Sequence, residues 1–286
     1  MTAVLTRRPG LARIRAAGSG RSPLHLVCLA FAGLVVCALF APWLTPHDPN
    51  AVDLSAALAG PSAEHPLGAD VAGRDTLARL LVGARTSLLG PLGVVVFSTV
   101  AGLAVGTAAA WRGGRLDAVL SRSTELVFAF PGMLLAILVI SVYGEGLLAP
   151  VAALGLAYLP YVSRLTRSLV LAERARPYVS AHRVQGHSAL QICLRHVLPN
   201  IAPVVLAQST VHFGYALMDL AGLSFLGLGV PPLTPDWGRM VFDGQTAVQH
   251  GYPLSAILPC VLVVLTVVAF NVVGERWADR VARRDR

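Results

Sequence analysis

Apolar runs of about 20 residues recur along this chain, separated by polar segments that are mostly short. They fall at 24–44, 86–111, 126–144, 147–163, 201–221 and 254–274. At ~1.5 Å of rise per residue, each is about long enough to cross a ~30 Å hydrocarbon layer as a helix. The third run is interrupted by Pro131-Gly132, which predicts a kink. A tight Gly144-Glu145-Gly146 turn separates the third from the fourth. After the fifth comes L-S-F-L-G-L-G-V at 223–230, whose glycines predict a short re-entrant or interfacial piece rather than more helix. The fold class expected is therefore all-α, a polytopic membrane protein with six transmembrane helices.

Composition agrees and removes alternatives. The chain of 286 residues is 55% hydrophobic and 13% charged, with a mean hydropathy of +0.65. That is too little polar surface for a soluble globule. The net charge of +8 brings nucleic acid to mind, yet the basic residues lie scattered in loops and no aromatic-interleaved cluster lines a groove. Their distribution follows membrane sidedness instead. Residues 1–23, 112–122, 164–200 and 275–286 hold 19 of the 23 arginines, and the loops between the other span ends hold 4. The positive-inside rule puts the first set in the cytosol, so both termini are expected there. Residues 1–23 read as a cytosolic leader and 24–44 as an anchor. That run is too long for a secretory signal and has no small-x-small cleavage site. Residues 45–85 read as an extracytoplasmic loop, 86–274 as a core of five helices, 231–253 as a further external loop with Trp237 as an interfacial anchor, and 275–286 as a cytosolic tail.

Chemistry is limited by what the chain lacks. There is no lysine anywhere, so the phosphate-cradling lysine of a P-loop is missing and any ATP must be handled by another protein. H-E-x-x-H, a Ser-Lys dyad and G-x-G-D are absent as well, which leaves no enzyme reading, no catalytic residue and no cofactor in this chain. Cys28, Cys37, Cys193 and Cys260 form no C-x-x-C pair and read as small buried hydrophobes, and no cluster has metal-ligand spacing. Two acids stand at or within the bilayer. A carboxylate there costs about 2.5–3.5 kcal/mol on insertion scales, so each is a candidate for function. Asp219 either lines a polar translocation path or pairs with an arginine or a partner subunit. Glu125, near Arg122, is a structural pair or a gate element, and His212 is an interior hydrogen-bonding residue or part of the path. Gly102-x-x-x-Gly106 offers a face for close helix approach.

The most informative polar stretch is 177–200, P-Y-V-S-A-H-R-V-Q-G-H-S-A-L-Q-I-C-L-R-H-V-L-P-N. Pro177 suits a first helical turn and Gly186 a break, which predicts a short helix over 177–185. A second helix comes next, with Leu190, Cys193, Leu194, Val197 and Leu198 on one greasy side and Gln191 and Arg195 elsewhere.

The triplet Ser180-Ala181-His182, then Gly186, then Val197-Leu198-Pro199 resembles the coupling loop of bacterial ABC importer permeases, whose usual triplet is Glu-Ala-Ala. The stretches 65–89, 128–137 and 223–238 (L-S-F-L-G-L-G-V-P-P-L-T-P-D-W-G) are similar to the second permease subunit of dipeptide, oligopeptide and nickel importers. The resemblance implies a type I ABC importer permease fold with a cytosolic coupling helix. It implies as partners a homologous permease, two cytosolic ABC ATPase domains carrying ATP and Mg, and an extracytoplasmic binding protein, all at a lipid bilayer. Ser180, Ala181, His182, Arg183, Gly186, Arg195, Leu198 and Pro199 become the expected ATPase-coupling residues; Arg183 and Arg195 either meet acidic rims on an ATPase or are solvated positive-inside charge. Short peptides are the expected cargo, a nickel or metal-chelate importer is the alternative, and a passive channel is the reading from another class.

Overall fold

The computed structural model describes residues 33, 40, 45, 47–231 and 233–284, and among these there is no β-strand. The leader at 1–23, nearly all of the apolar run at 24–44, and Cys28 and Cys37 lie outside the described residues.

Past a short 3-10 turn at Leu54–Ala56 and a coiled segment, the chain enters α1 (Thr76–Arg112). Asp75 starts it, accepting a hydrogen bond from the Ala78 amide at 2.6 Å, so an orphan N–H of the first turn is satisfied. The second span is thus longer than the expected 86–111, because residues 76–85, expected in the external loop, belong to the same helix. Gly113, at φ +65°, turns the chain into α2 (Gly114–Phe128). The 112–122 segment, expected as a loop, is therefore mostly helical. α2 and α3 (Gly132–Tyr143) meet at an 81° bend across residues 129–131, where Pro131 is the N-cap of the second piece. The expected kink in the third span is this break. α3, at 12 residues, is too short to cross a bilayer alone.

α4 (Leu148–Arg174) leads into the elbow, made of α5 (Pro177–Val184), α6 (Ala189–Ile192) and a π-turn at Cys193–Val197. α7 (Leu198–Phe225) returns across the bundle. It runs four residues past the expected end at 221, so only 226–230 of the supposed re-entrant piece is non-helical. α8 (Trp237–Gln249) occupies the expected external loop, and α9 (Leu254–Arg284) carries the last span on into the expected tail. Among the described residues, four helices are long and apolar enough to span a membrane, five if the bent pair counts as one.

Among the described residues, apolar clusters hold these pieces. The bundle core gathers Val94, Ile140, Leu154, Phe213, Leu217 and Leu223 from α1, α3, α4 and α7. α1 and α4 make the most extensive helix pair. Their approach depends on the small-residue face, since a Cβ on Gly102 would sit 2.6 Å from Val162 Cβ. At the other end from the elbow, Trp237 is fully buried against Leu80, Ala84 and Met240, and its indole N–H donates to the Leu80 carbonyl at 3.0 Å. Trp237 is therefore a core anchor between α1 and α8 rather than an interfacial one. Beside it Arg79, buried to 1% exposure, pairs with Asp243 at 3.2 Å, while Arg74 bridges Asp70 at 2.7 Å and Asp243 at 3.1 Å.

Candidate functional site

Two regions carry the candidate residues, the elbow and a cavity in the bundle. The elbow is glued down from below. Val179 of α5, Ile192 of α6 and Val197 of the π-turn are buried with Val170 of α4, Ala110 of α1 and Ile201 of α7. This differs from the expected greasy side. Cys193 and Val197 face inward as expected, yet Leu190 is 67% and Leu194 54% exposed, and Ile192 takes the buried place. The π-turn at Cys193–Val197 departs from the 3.6 register on which the expectation relied, and its wider winding places Ile192 and Val197, five residues apart, in the same buried cluster. With Val184, at 89% exposed, Leu190 and Leu194 leave an apolar crown on an otherwise polar elbow.

The remaining coupling candidates divide by environment. Ser180 and Ala181 are exposed. His182 stacks on His196 with ring centroids 4.1 Å apart. The Arg183 guanidinium lies 6.0 Å from the centroid of the Trp111 ring, so it also braces the elbow against α1. Arg195 is exposed, and no ion pair holds it among the described residues. Gly186 sits at φ +82° with open space around it. Leu198 and Pro199 form the first turn of α7, where a proline costs no hydrogen bond.

A carboxylate that the sequence pattern does not single out joins the elbow to the spans. Glu173, at 5% exposure in the last turn of α4, accepts from the Tyr178 hydroxyl at 2.8 Å and from Asn200 Nδ2 at 3.0 Å. Its other oxygen takes Arg176 Nε at 3.0 Å. One buried acid thus ties together the end of α4, the start of α5 and the start of α7. An acid near a span end with Arg176 close behind reads only as loop charge, because the Asn200 contact is 27 residues away in sequence.

The second region is a cavity of about 800 Å³ beside the 81° bend, walled by the bend itself, α4 and α7. Asp219 and His212 both line it, seven residues apart on one face of α7. Asp219 is half-buried and accepts a hydrogen bond from the Tyr158 hydroxyl at 3.0 Å; no arginine pairs with it among the described residues. His212 is buried with Tyr158 and Tyr161 set edge-on to it, ring centroids 5.7 and 6.1 Å away, and Gln208 Nε2 lies 3.4 Å from its Nε2. Glu125 is not brought to this cavity and is exposed on α2. Sequence reasoning missed Tyr158 and Tyr161, although their spacing of three in an apolar helix is the signal that would have found them.

Comparison with known proteins places these features in context. Residues 99–286 match the family described as the binding-protein-dependent transport system inner membrane component, and residues 21–61 match the N-terminal TM domain of oligopeptide transport permease C. The chain is 38% identical over 252 residues to the di/tripeptide transport system permease protein DppC of Pseudomonas aeruginosa (strain UCBPP-PA14), covering 86% of this chain and 83% of that one. It is 33% identical to the nickel transport system permease protein NikC of Escherichia coli (strain K12), covering 91% and 94%. A solved structure of the MetNI methionine ABC transporter in inward-facing conformations shares the fold, with a TM-score of 0.58 at 20% identity over 70% of this chain and 94% of that chain.

Proposed function

The chain belongs to the inner-membrane component family of binding-protein-dependent transport systems, and from that premise we propose that it is a permease subunit of an ATP-driven importer of short peptides. The 38% identity to a di/tripeptide permease supports the cargo class. As a member of the family it is a multi-pass inner-membrane protein that works with ATPase and substrate-binding partners. It forms the translocation path with a homologous second permease, its elbow and termini lie in the cytosol, and ATP is hydrolysed by the partners.

One observation carries the coupling role. Val184, Leu190 and Leu194 stand exposed on the elbow, while Val179, Ile192 and Val197 fasten its underside to α1, α4 and α7. An apolar crown on a braced polar segment fits a protein groove, and the bracing lets a push on the crown move helices as rigid bodies. Ser180, Ala181, His182, Arg183, Gly186, Arg195, Leu198 and Pro199 shape or flank that contact. Asp219 and His212 belong to the path. Glu125 lies apart from it, exposed on α2.

The test is uptake and association. The subunit co-expressed with its partner permease, ATPases and binding protein should import radiolabelled dipeptide into proteoliposomes on ATP, and a cysteine at Leu190 should crosslink to an ATPase subunit. No crosslink in an assembled, active complex would overturn the docking role. The 33% identity to NikC supports a second reading, nickel import, which the same vesicles decide if they accumulate nickel and not dipeptide.

A further inference from the structure

The cavity beside the bend combines features that the coupling role does not use. Asp219 presents one oxygen to Tyr158, and its Oδ1 has no hydrogen-bond partner among the described residues. No guanidinium among the described residues neutralises it. Around the same space stand the rings of Phe130, Tyr158, Tyr161 and Tyr215, while the Phe128 ring is already faced by the Arg164 guanidinium at 4.8 Å. A carboxylate with a free oxygen, set among aromatic faces whose electron-rich surfaces attract cations, is a receptor for a compact organic cation. An ammonium group satisfies it, because one of its three N–H donors reaches the free Oδ1 while the charge rests against the rings. A carboxylate or phosphate would instead be repelled.

From this arrangement we infer that Asp219, held by Tyr158, is the point at which the cavity recognises the protonated α-amino end of a passing short peptide. The inference rests on the peptide reading and names the end of the cargo that this chain reads. Tyr158 is the positioning residue, since it holds Asp219 through one oxygen and leaves the other to the cargo. His212, edge-on to both tyrosines, keeps their rings oriented.

The experiment uses the assembled transporter in detergent, with partner permease and ATPases but without the binding protein, so that selection by that protein does not enter. Binding of radiolabelled Ala-Ala is measured by scintillation proximity and compared with N-acetyl-Ala-Ala. The wild type should bind Ala-Ala at least tenfold more tightly than the acetylated form. Asp219→Asn should lose that preference, and Asp219→Glu, which keeps the charge, should retain part of it. Tyr158→Phe should narrow the preference without abolishing it. Equal binding of the two probes by the wild type, an unchanged preference in Asp219→Asn, or no Ala-Ala binding at all would overturn the inference. Uptake of Ala-Ala by the complete wild-type system separates the two levels: if uptake persists while the preference is absent, Asp219 is misassigned, and if uptake itself is absent, the peptide reading has failed.

Discussion

Asn200 donates from Nδ2 to Glu173 Oε1 across 3.0 Å, joining the first turn of α7 to the last turn of α4 beneath the elbow. Because Tyr178 donates to the same oxygen, the elbow is pinned at its base as well as by its apolar underside. A lever transmits motion only if its base does not yield.

Replacing Glu173 with alanine should therefore soften that base. Tyr178 and Asn200 lose their shared acceptor, at a cost of about 1–3 kcal/mol for each donor left without water, less where solvent reaches it. The expected outcome is ATP hydrolysis near the wild-type rate with dipeptide uptake reduced several-fold, measured together in proteoliposomes. Glu173→Gln, which retains an acceptor oxygen, should be milder. Equal coupling ratios in wild type and Glu173→Ala would remove the pinning role.

Gly186 tests the elbow differently. Its φ of +82° disfavours any residue with a Cβ, while the surrounding space is open, so the strain is one of backbone and not of crowding. Valine there should cost about 1–3 kcal/mol and distort the junction between α5 and α6, abolishing uptake while the spans still insert. Asparagine, which tolerates left-handed backbone, should be close to wild type. A Gly186→Val protein that transports normally would refute this account.

Gly102 makes the complementary prediction. A leucine there must displace Val162, whose Cβ would lie 2.6 Å from the new one, across the most extensive helix pair of the fold. Overpacking of this kind costs about 1–3 kcal/mol and α1 cannot simply move aside, so Gly102→Leu should insert but melt at a lower temperature or fail to assemble. Gel filtration and thermal unfolding of the purified complex check it, with Gly93→Leu as a comparison at a position whose nearest contact is a single Val151 methyl at 3.0 Å.

Asp243 should be indispensable to the far end of the bundle. It receives Arg74, Arg79 and Arg239, and Arg79 is almost wholly buried. Removing one partner of a buried pair leaves an uncompensated charge, a loss of about 3–5 kcal/mol. Asp243→Ala should lower the unfolding midpoint well below that of Asp117→Ala, whose pairing with Arg167 is half-exposed and is expected to contribute at most about 1 kcal/mol. Similar midpoints for the two variants would contradict the buried-network reading.

Much of the molecule is legible in the chain itself. Hydrophobic runs of membrane length, the arginine asymmetry and the 177–200 stretch lead to an all-α, multi-pass permease, and the absence of lysine leaves it without a P-loop lysine. Those features are local or compositional: bilayer thickness sets run length, and a missing residue type needs no fold to be seen. Even the proline break at 131 and the turn glycine at 186 are properties of single residues, legible because their backbone restrictions hold in any context.

What the tertiary structure alone decided is which residues meet. The inward side of the elbow includes a π-turn that no periodicity announces, and Ile192 stands in the core where Leu190 and Leu194 were expected. Trp237 became a core anchor because Leu80, far away in sequence, offers its carbonyl. Glu173 acquired its role from Asn200, and Asp219 its cavity from Tyr158 and the bend. Hydrophobic length depends on the chain and the solvent, whereas a hydrogen bond or a cavity wall depends on residues from distant segments arriving together, and that is settled only when the helices pack.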